Sequence, residues 1–160
     1  MESEIGSIYL VASATGLQAV STEPVCSESV SSLKSSEPEV KILADAVFQL
    51  EEYFKGQRKN FDLPLDAKGT AFQKQVWNQL SQIPYGRTCS YKQIAQQIKN
   101  DKAIRAVGSA NGKNPLFIIV PCHRVIASDG TLGGYAGGIE VKMKLLDLEK
   151  KTLLNKKLNN

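Results

Sequence analysis

The ten residues FDLPLDAKGT, 61–70, divide this chain into halves of different periodicity and opposite charge. They carry Pro64 and Gly69 and no helical or strand repeat, so they read as a linker. Before them, residues 5–12 (IGSIYLVA) and 17–21 (LQAVS) flank the turn signal SATG and predict a β-hairpin. Residues 22–38 are rich in Ser, Glu and Pro and read as a loop with room for one weak strand. From Glu39 onward Ile42, Leu43, Ala46, Val47, Leu50 and Phe54 recur at helical spacing, and Gly56 supplies the stop. After the linker, helical patterns dominate. Thr70 with Gln73 forms a capping box ahead of Phe72, Val76, Leu80 and Ile83, and Pro84 and Gly86 end that helix. A second box, Ser90 with Gln93, opens SYKQIAQQI. A third segment, KAIRAVGSANG, follows the turn NDK with Asp101 as its expected cap. The last helix is predicted from Ile139 to about Leu154, with Val141, Leu145, Leu146 and Leu148 on its buried side. The expected architecture is a small α/β domain over residues 1–64, then a mainly α domain over residues 65–160 with a candidate helix-turn-helix.

Charge follows the same division. Residues 1–69 hold 6 Lys/Arg against 11 Asp/Glu, a net of −5. Residues 70–160 hold 14 against 5, a net of +9. A basic half joined to an acidic half suggests that one half alone meets a polyanion, although a solvated lysine surface has the same composition. No apolar run approaches the ~20 residues needed to span a bilayer. The N-terminus opens with acids and lacks the basic and apolar regions of a signal peptide. The expected compartment is reducing: the cytoplasm, or the nucleus of a cell that has one. There, Cys26, Cys89 and Cys122 are not a disulfide framework. They show no CxxC spacing, and the chain's single histidine, His123, adjoins Cys122, which is poor chelate geometry. No metal, no other cofactor and no membrane partner is expected, and the protein is expected to act as a monomer.

The second and third helical segments of the basic half are short and joined by a tight turn. That is the pattern of a helix-turn-helix, and equally of an ordinary helical hairpin. The third segment is full of small residues: Ala103, Ala106, Gly108, Ser109, Ala110 and Gly112. Such a helix can lie very close to another surface, whether a core or a narrow groove. Arg105 is the one long cation in the middle of it, placed to reach among bases if the surface is nucleic acid.

Residues 116–121, LFIIVP, form an apolar run of buried-strand type that ends directly at Cys122, His123 and Arg124. A free thiol is only a few per cent ionised at neutral pH, so a reactive cysteine needs a base or a cation nearby, and His123 and Arg124 are candidates. The alternative is a buried, inert cysteine. In an extended segment neighbouring side chains point to opposite faces, so a bridging water would have to connect His123 with the sulfur. A carboxylate behind the ring would fix its tautomer, with Asp147 or Glu149 nearest in sequence. The five glycines of SDGTLGGYAGG, 128–138, mark either a flexible connector or a loop whose backbone approaches a ligand.

Pro121-Cys122-His123-Arg124-Val125 resembles the active-site signature of the O6-alkylguanine-DNA alkyltransferases. The resemblance runs over about residues 70–150 and includes SYKQIA, RAVG, KNP before the apolar run, and GYAGG ahead of a helix that carries a glutamate. It implies a ribonuclease-H-like α/β domain followed by a helix-turn-helix domain that enters the minor groove of duplex DNA and flips the damaged base out. By the same resemblance Cys122 is the alkyl acceptor, and His123 and Glu149 form a hydrogen-bond relay with a water between His123 and the thiol. Asn114 is the hinge tying the helix-turn-helix to the site. Tyr91 helps turn the nucleotide, Arg105 fills the gap it leaves, and Tyr135 lines the pocket near the alkylated oxygen. The backbone at Ala136 and Gly137 helps hold the guanine. The small residues from Ala103 to Gly112 lie at the groove. Arg124 and Val125 are expected on the substrate or DNA side, Arg124 with Lys102 and Lys113 as phosphate contacts. The implied reaction is irreversible, stoichiometric transfer from O6-alkylguanine, with O4-alkylthymine as a second substrate. Two departures stand out: some relatives carry N-terminal Cys and His ligands for zinc where this chain has Cys26 alone, and some carry Ser at the position of Ala136.

Two other classes compete. A DNA-binding regulator of this fold would lack the acceptor cysteine, which is present here. A thiol hydrolase would need a histidine distant in sequence and close in space, and the only histidine is adjacent.

Overall fold

The computed structural model describes residues 1–25, 37–135 and 137–158. The Ser-rich segment 26–36 with Cys26, and Ala136, lie outside the described residues. The chain forms two compact units, Met1–Lys68 and Gly69–Asn160.

In the first unit β1 (Glu2–Ser3) pairs antiparallel with β2 (Gly6–Ser7), and β3 (Tyr9–Ser13) with β4 (Gly16–Ser21). The β3–β4 hairpin turns at Ala14 and Thr15, where SATG places it, and carries an irregularity between Val11 and Ala12. Helix α1 (Pro38–Phe54) starts at a proline, which suits a first helical position, and buries Ile42, Ala46, Leu50 and Tyr53. Gly56, at φ +68°, follows its end. Part of the expected linker is fixed to this unit. Gln49 exchanges two 2.8 Å hydrogen bonds with the Asp62 backbone, and the Leu17 N–H donates to the Pro64 carbonyl at 2.8 Å. Asp66 accepts from Gln18 and Ser13, and these hydrogen bonds hold its carboxyl well below the usual range.

The second unit contains α2 (Ala71–Leu80), β5 (Cys89–Ser90), α3 (Tyr91–Gln97), α4 (Ile104–Gly112), β6 (Val125–Ile126) and α5 (Ile139–Leu158). Both expected capping boxes form, Thr70 with Gln73 and Ser90 with Gln93. Helices α3 and α4 make the helix-turn-helix, with Lys99 turning the chain at φ +58°. Asp101 does not cap α4: the N-cap is Ala103, with no side-chain cap bond. The Asn100 carbonyl instead accepts from the Ala103 N–H and closes the turn.

The apolar run 116–121 is buried but is not a strand. It folds as a turn, with the Val120 N–H donating to the Leu116 carbonyl at 2.8 Å and Ile118 at φ +70°. Asn114 takes the place of a neighbouring strand: its Oδ1 accepts from the Leu116 N–H at 3.0 Å and its Nδ2 donates to the Val120 carbonyl at 2.8 Å. Burial alone explains the six apolar residues, and a turn buries them as well as a strand does. Cys122–Arg124 then form one turn of 3-10 helix, and β6 pairs in parallel with β5, Cys89 opposite Val125. The buried line of α5 is Lys142, Leu145 and Glu149; the expected Val141, Leu146 and Leu148 are only partly covered.

Candidate active site

Cys122 lies at the start of the 3-10 turn and is 4% exposed. Its N–H donates to the Val120 carbonyl at 2.8 Å, so the residue that Asn114 grips also fixes the nucleophile's backbone. Burial pushes the thiol's pKa up, and the Asn114 amide, the Tyr135 hydroxyl and the Lys142 charge oppose it. The resting cysteine is therefore a protonated thiol that needs a base.

His123 is fully buried, and its Nε2 lies 2.7 Å from Glu149 Oε1. Burial pushes its pKa below the ordinary histidine value, against the opposing pull of Glu149. Burial also raises the Glu149 carboxyl, but His123 and Arg124 outweigh it and hold the acid at about 2. An ionised carboxylate only accepts, so Nε2 carries the hydrogen and Nδ1 keeps a free lone pair. Among the described residues that buried Nδ1 has no hydrogen-bond partner. The relay geometry thus has a neutral imidazole with its basic nitrogen unengaged.

Arg124 is not on the DNA side. It is 5% exposed. Its Nε donates to Glu149 at 3.0 and 3.2 Å, its Nη2 to Glu149 at 2.9 Å, and its Nη1 to the Ile83 carbonyl at 2.7 Å. The Tyr85 ring lies 5.5 Å from the guanidinium. A buried carboxylate requires a paired cation, and that demand takes Arg124 away from any phosphate. Glu149 also accepts from the Gly86 N–H at 2.9 Å. Gly86 permits this approach: at φ +73°, a Cβ on it would stand 2.2 Å from Leu153 Cδ1. Val125 is fully buried in the core, and its backbone pairs with Cys89.

The helical period sorts the small residues of α4. Arg105, Ala106, Ser109 and Gly112 are exposed, and Ala103 and Gly108 are half-covered. Ala110 faces the core, 2% exposed, with its carbonyl accepting from Trp77 Nε1 at 2.8 Å, so it cannot be a groove contact. Tyr91, the first residue of α3, sits between two glycines. A Cβ on Gly108 would lie 3.8 Å from its ring, and one on Gly133 would lie 3.2 Å from its hydroxyl. Gly137 leaves room for the Tyr135 ring, 3.1 Å from where its Cβ would be. The Tyr135 hydroxyl is buried beside the thiol and makes no well-formed hydrogen bond among the described residues.

Two site residues escape a reading based on apolar spacing. Lys142 is completely buried; its Nζ donates to the Val125 carbonyl at 2.6 Å and to the Leu132 carbonyl. It thereby ties the strand after the nucleophile to the glycine-rich loop, and it lies 5.9 Å from the Tyr135 ring. Its signal was its place seven residues before Glu149, on the same face of one helix. Asn111 is 3% exposed, with Nδ2 3.5 Å from the Cys122 carbonyl. No group of three or more potential metal ligands occurs among the described residues. Among them, no helix is long and apolar enough to cross a membrane.

Comparison with known proteins agrees with this geometry. Residues 1–67 match the ribonuclease-like domain of 6-O-methylguanine DNA methyltransferase, and residues 71–151 match its DNA-binding domain. The methylated-DNA–protein-cysteine methyltransferase of Methanosarcina barkeri is 54% identical over 113 residues, 71% of this chain and 72% of that one. The crystal structure of Mycobacterium tuberculosis OGT in complex with DNA superposes with a TM-score of 0.80 at 42% identity, covering 95% of this chain and 91% of that one. An O6-methylguanine DNA methyltransferase from Methanococcus jannaschii gives 0.63 at 30% identity, with 89% and 87% covered. Both domain models of this family match, together spanning nearly the whole chain, and a relative is 54% identical over 71% of it; with a buried thiol followed in sequence by a carboxylate-held imidazole, this places the protein in the methylated-DNA–protein-cysteine methyltransferase family.

Proposed function

We propose that Cys122 takes the alkyl group from O6-alkylguanine in duplex DNA and keeps it. The observation that carries this reading is the buried line Cys122, His123, Glu149, in which Glu149 fixes the imidazole tautomer and leaves Nδ1 free for the thiol proton. That proton passes to His123 through a water, and Glu149 stabilises the imidazolium that results, against the opposing charge of Arg124. The thiolate attacks the alkyl carbon in line. The new S–C bond forms as the C–O6 bond breaks, and the guanine leaves as an anion that takes up one proton from water, while His123 returns the thiol's proton to water. Tyr135, whose pKa burial raises, stays protonated and donates a hydrogen bond to the leaving oxygen. Water does not hydrolyse a thioether, so each chain reacts once. Exposed Arg105 enters the stack as Tyr91 helps turn the nucleotide, and Ala106, Ser109 and Gly112 meet the minor groove. The protein works where DNA and reduced thiols coincide, in the cytoplasm or in a nucleus.

The test is duplex DNA carrying a labelled methyl on guanine O6. Label is expected on Cys122 with a ceiling of one per chain. Binding without label would instead mark a regulator, and neither binding nor label a hydrolase.

A further inference from the structure

Six glycines and two other residues among those described hold a positive φ. One of the two, Ile118, is buried in the turn that Asn114 shapes. The other, Lys99 at φ +58°, is exposed. It lies just past the end of α3, where its N–H donates to the Gln96 carbonyl and the Asn100 N–H donates to the Ala95 carbonyl, both at 2.9 Å. Those two bonds form the helix ending that a left-handed residue makes possible, and glycine is its usual occupant because a Cβ is penalised there. Backbone alone makes both bonds, so glycine would make them equally well.

Lysine therefore weakens this turn and gains no ion pair by it. Among the described residues the ion pairs of the second unit join His123 and Arg124 to Glu149 and Lys151 to Asp147, and Lys99 is in none of them. Its charge suits the carbonyl end of α3, but at an exposed helix end that is a smaller effect than the strain. A strained residue with no reason inside the chain points to one outside it. Charge says what that is. Residues 91–113 hold Lys92, Lys99, Lys102, Arg105 and Lys113 against Asp101 alone, a net of +4, as much as the whole chain. All five cations are exposed. The Ala103 N–H, at the N-cap of α4, donates to the Asn100 carbonyl at 2.9 Å and ties this turn to the helix. A helix is about 10 Å across and the minor groove about 6 Å wide, so a helix whose outer face enters the groove leaves the chain at its ends against the phosphate walls.

We infer that Lys99 is a phosphate-binding residue: from the strained turn between α3 and α4 its ammonium contacts the backbone of the duplex that α4 enters. This rests on the duplex-binding part of the reading above and adds to it a contact made at the expense of the fold's own stability.

Lys99→Gly and Lys99→Asn place neutral residues that tolerate the left-handed region here, and Lys99→Arg keeps the charge. Affinity for undamaged duplex is measured across a salt series, alongside urea unfolding of each variant. Both neutral variants are expected to flatten the log–log salt slope by roughly 1 unit and to bind about eightfold more weakly at about 0.1 M salt. Lys99→Gly is expected to unfold at higher urea than wild type, so that affinity and stability move in opposite directions. Lys99→Arg is expected to keep the wild-type slope. An unchanged slope in the neutral variants would overturn the inference. So would a neutral variant that loses stability together with affinity, since a lysine that merely braces the turn does that, or an arginine variant that binds like the neutral pair. Absence of label on Cys122 from methylated duplex, with the salt effect at Lys99 intact, would overturn the transfer reading alone.

Discussion

With its Nε2 hydrogen held by Glu149, His123 keeps Nδ1 for a proton, and burial keeps the ring neutral below pH 6.5. The acid limb of the pH–rate profile is therefore expected below the ordinary histidine value. A single-turnover profile falling already at pH 7 would contradict it. Cys122→Ala is expected to abolish transfer and leave binding to undamaged duplex intact. Cys89→Ser should transfer at nearly the wild-type rate, because burial raises that thiol. Glu149 carries the sharpest stability prediction. Glu149→Gln leaves Arg124 buried beside a neutral partner and should cost about 3 kcal/mol at neutral pH. The wild-type carboxyl sits at about 2 against an ordinary 4.5. Its contribution is complete above about 4.5 and disappears as pH falls towards 2, so the deficit of the variant should shrink over that window. Urea unfolding at a series of pH values measures it. At this scale the residue types of Cys122 and His123 pointed to thiol chemistry, while the spacing left Asp147 and Glu149 both open as the carboxylate behind the ring; the fold sets Glu149 there. The sequence was misleading about Arg124. A cation next to a nucleophile reads as a ligand for phosphate, and only the fold shows Glu149 claiming it.

At the scale of the element, α4 is the instructive case. Its composition was legible as a smooth helix, but which small residues face outward depends on its phase, and the phase is set by Val107, Ala110 and Asn111 packing inward. Arg105 lies on the exposed side, and Arg105→Ala is expected to slow repair of duplex DNA at least tenfold while leaving reaction with a free guanine-based substrate nearly unchanged, since only the duplex must be unstacked. Equal slowing on both substrates would count against that role. The turn at 116–121 was unreadable from hydrophobicity, because a continuous apolar run reports burial without geometry. Asn114, which supplies both the donor and the acceptor that shape it, is the residue that decides. The buried face of α5 was misread for a related reason. Two of its three innermost residues, Lys142 and Glu149, are charged, and a search for apolar spacing passes over them.

For the whole molecule, the charge division was legible in the sequence and carries a quantitative expectation. Affinity for undamaged duplex should fall steeply with salt, and removing a phosphate contact should flatten the log–log slope by roughly 1 unit per charge. Lys102 and Lys113 are exposed and are the positions to test; Arg124 is not one of them. Binding that survives high salt unchanged would sink this. The ion pair of Arg58 with Glu52, 2.7 Å long, shows cations of the acidic half already occupied locally. The division at 61–70 was coarser than the fold, since residues 62–66 are bound to the first unit by Gln49, Leu17, Ser13 and Gln18. One consequence concerns biosynthesis. The partner that fixes His123 lies 26 residues further along the chain, in the helix that also brings Lys142. On a ribosome, Cys122 emerges before Glu149 does, and until that helix docks the imidazole has no fixed tautomer and Arg124 no counter-ion. The proton path from the thiol is therefore incomplete until the helix Ile139–Leu158 has been made and docked.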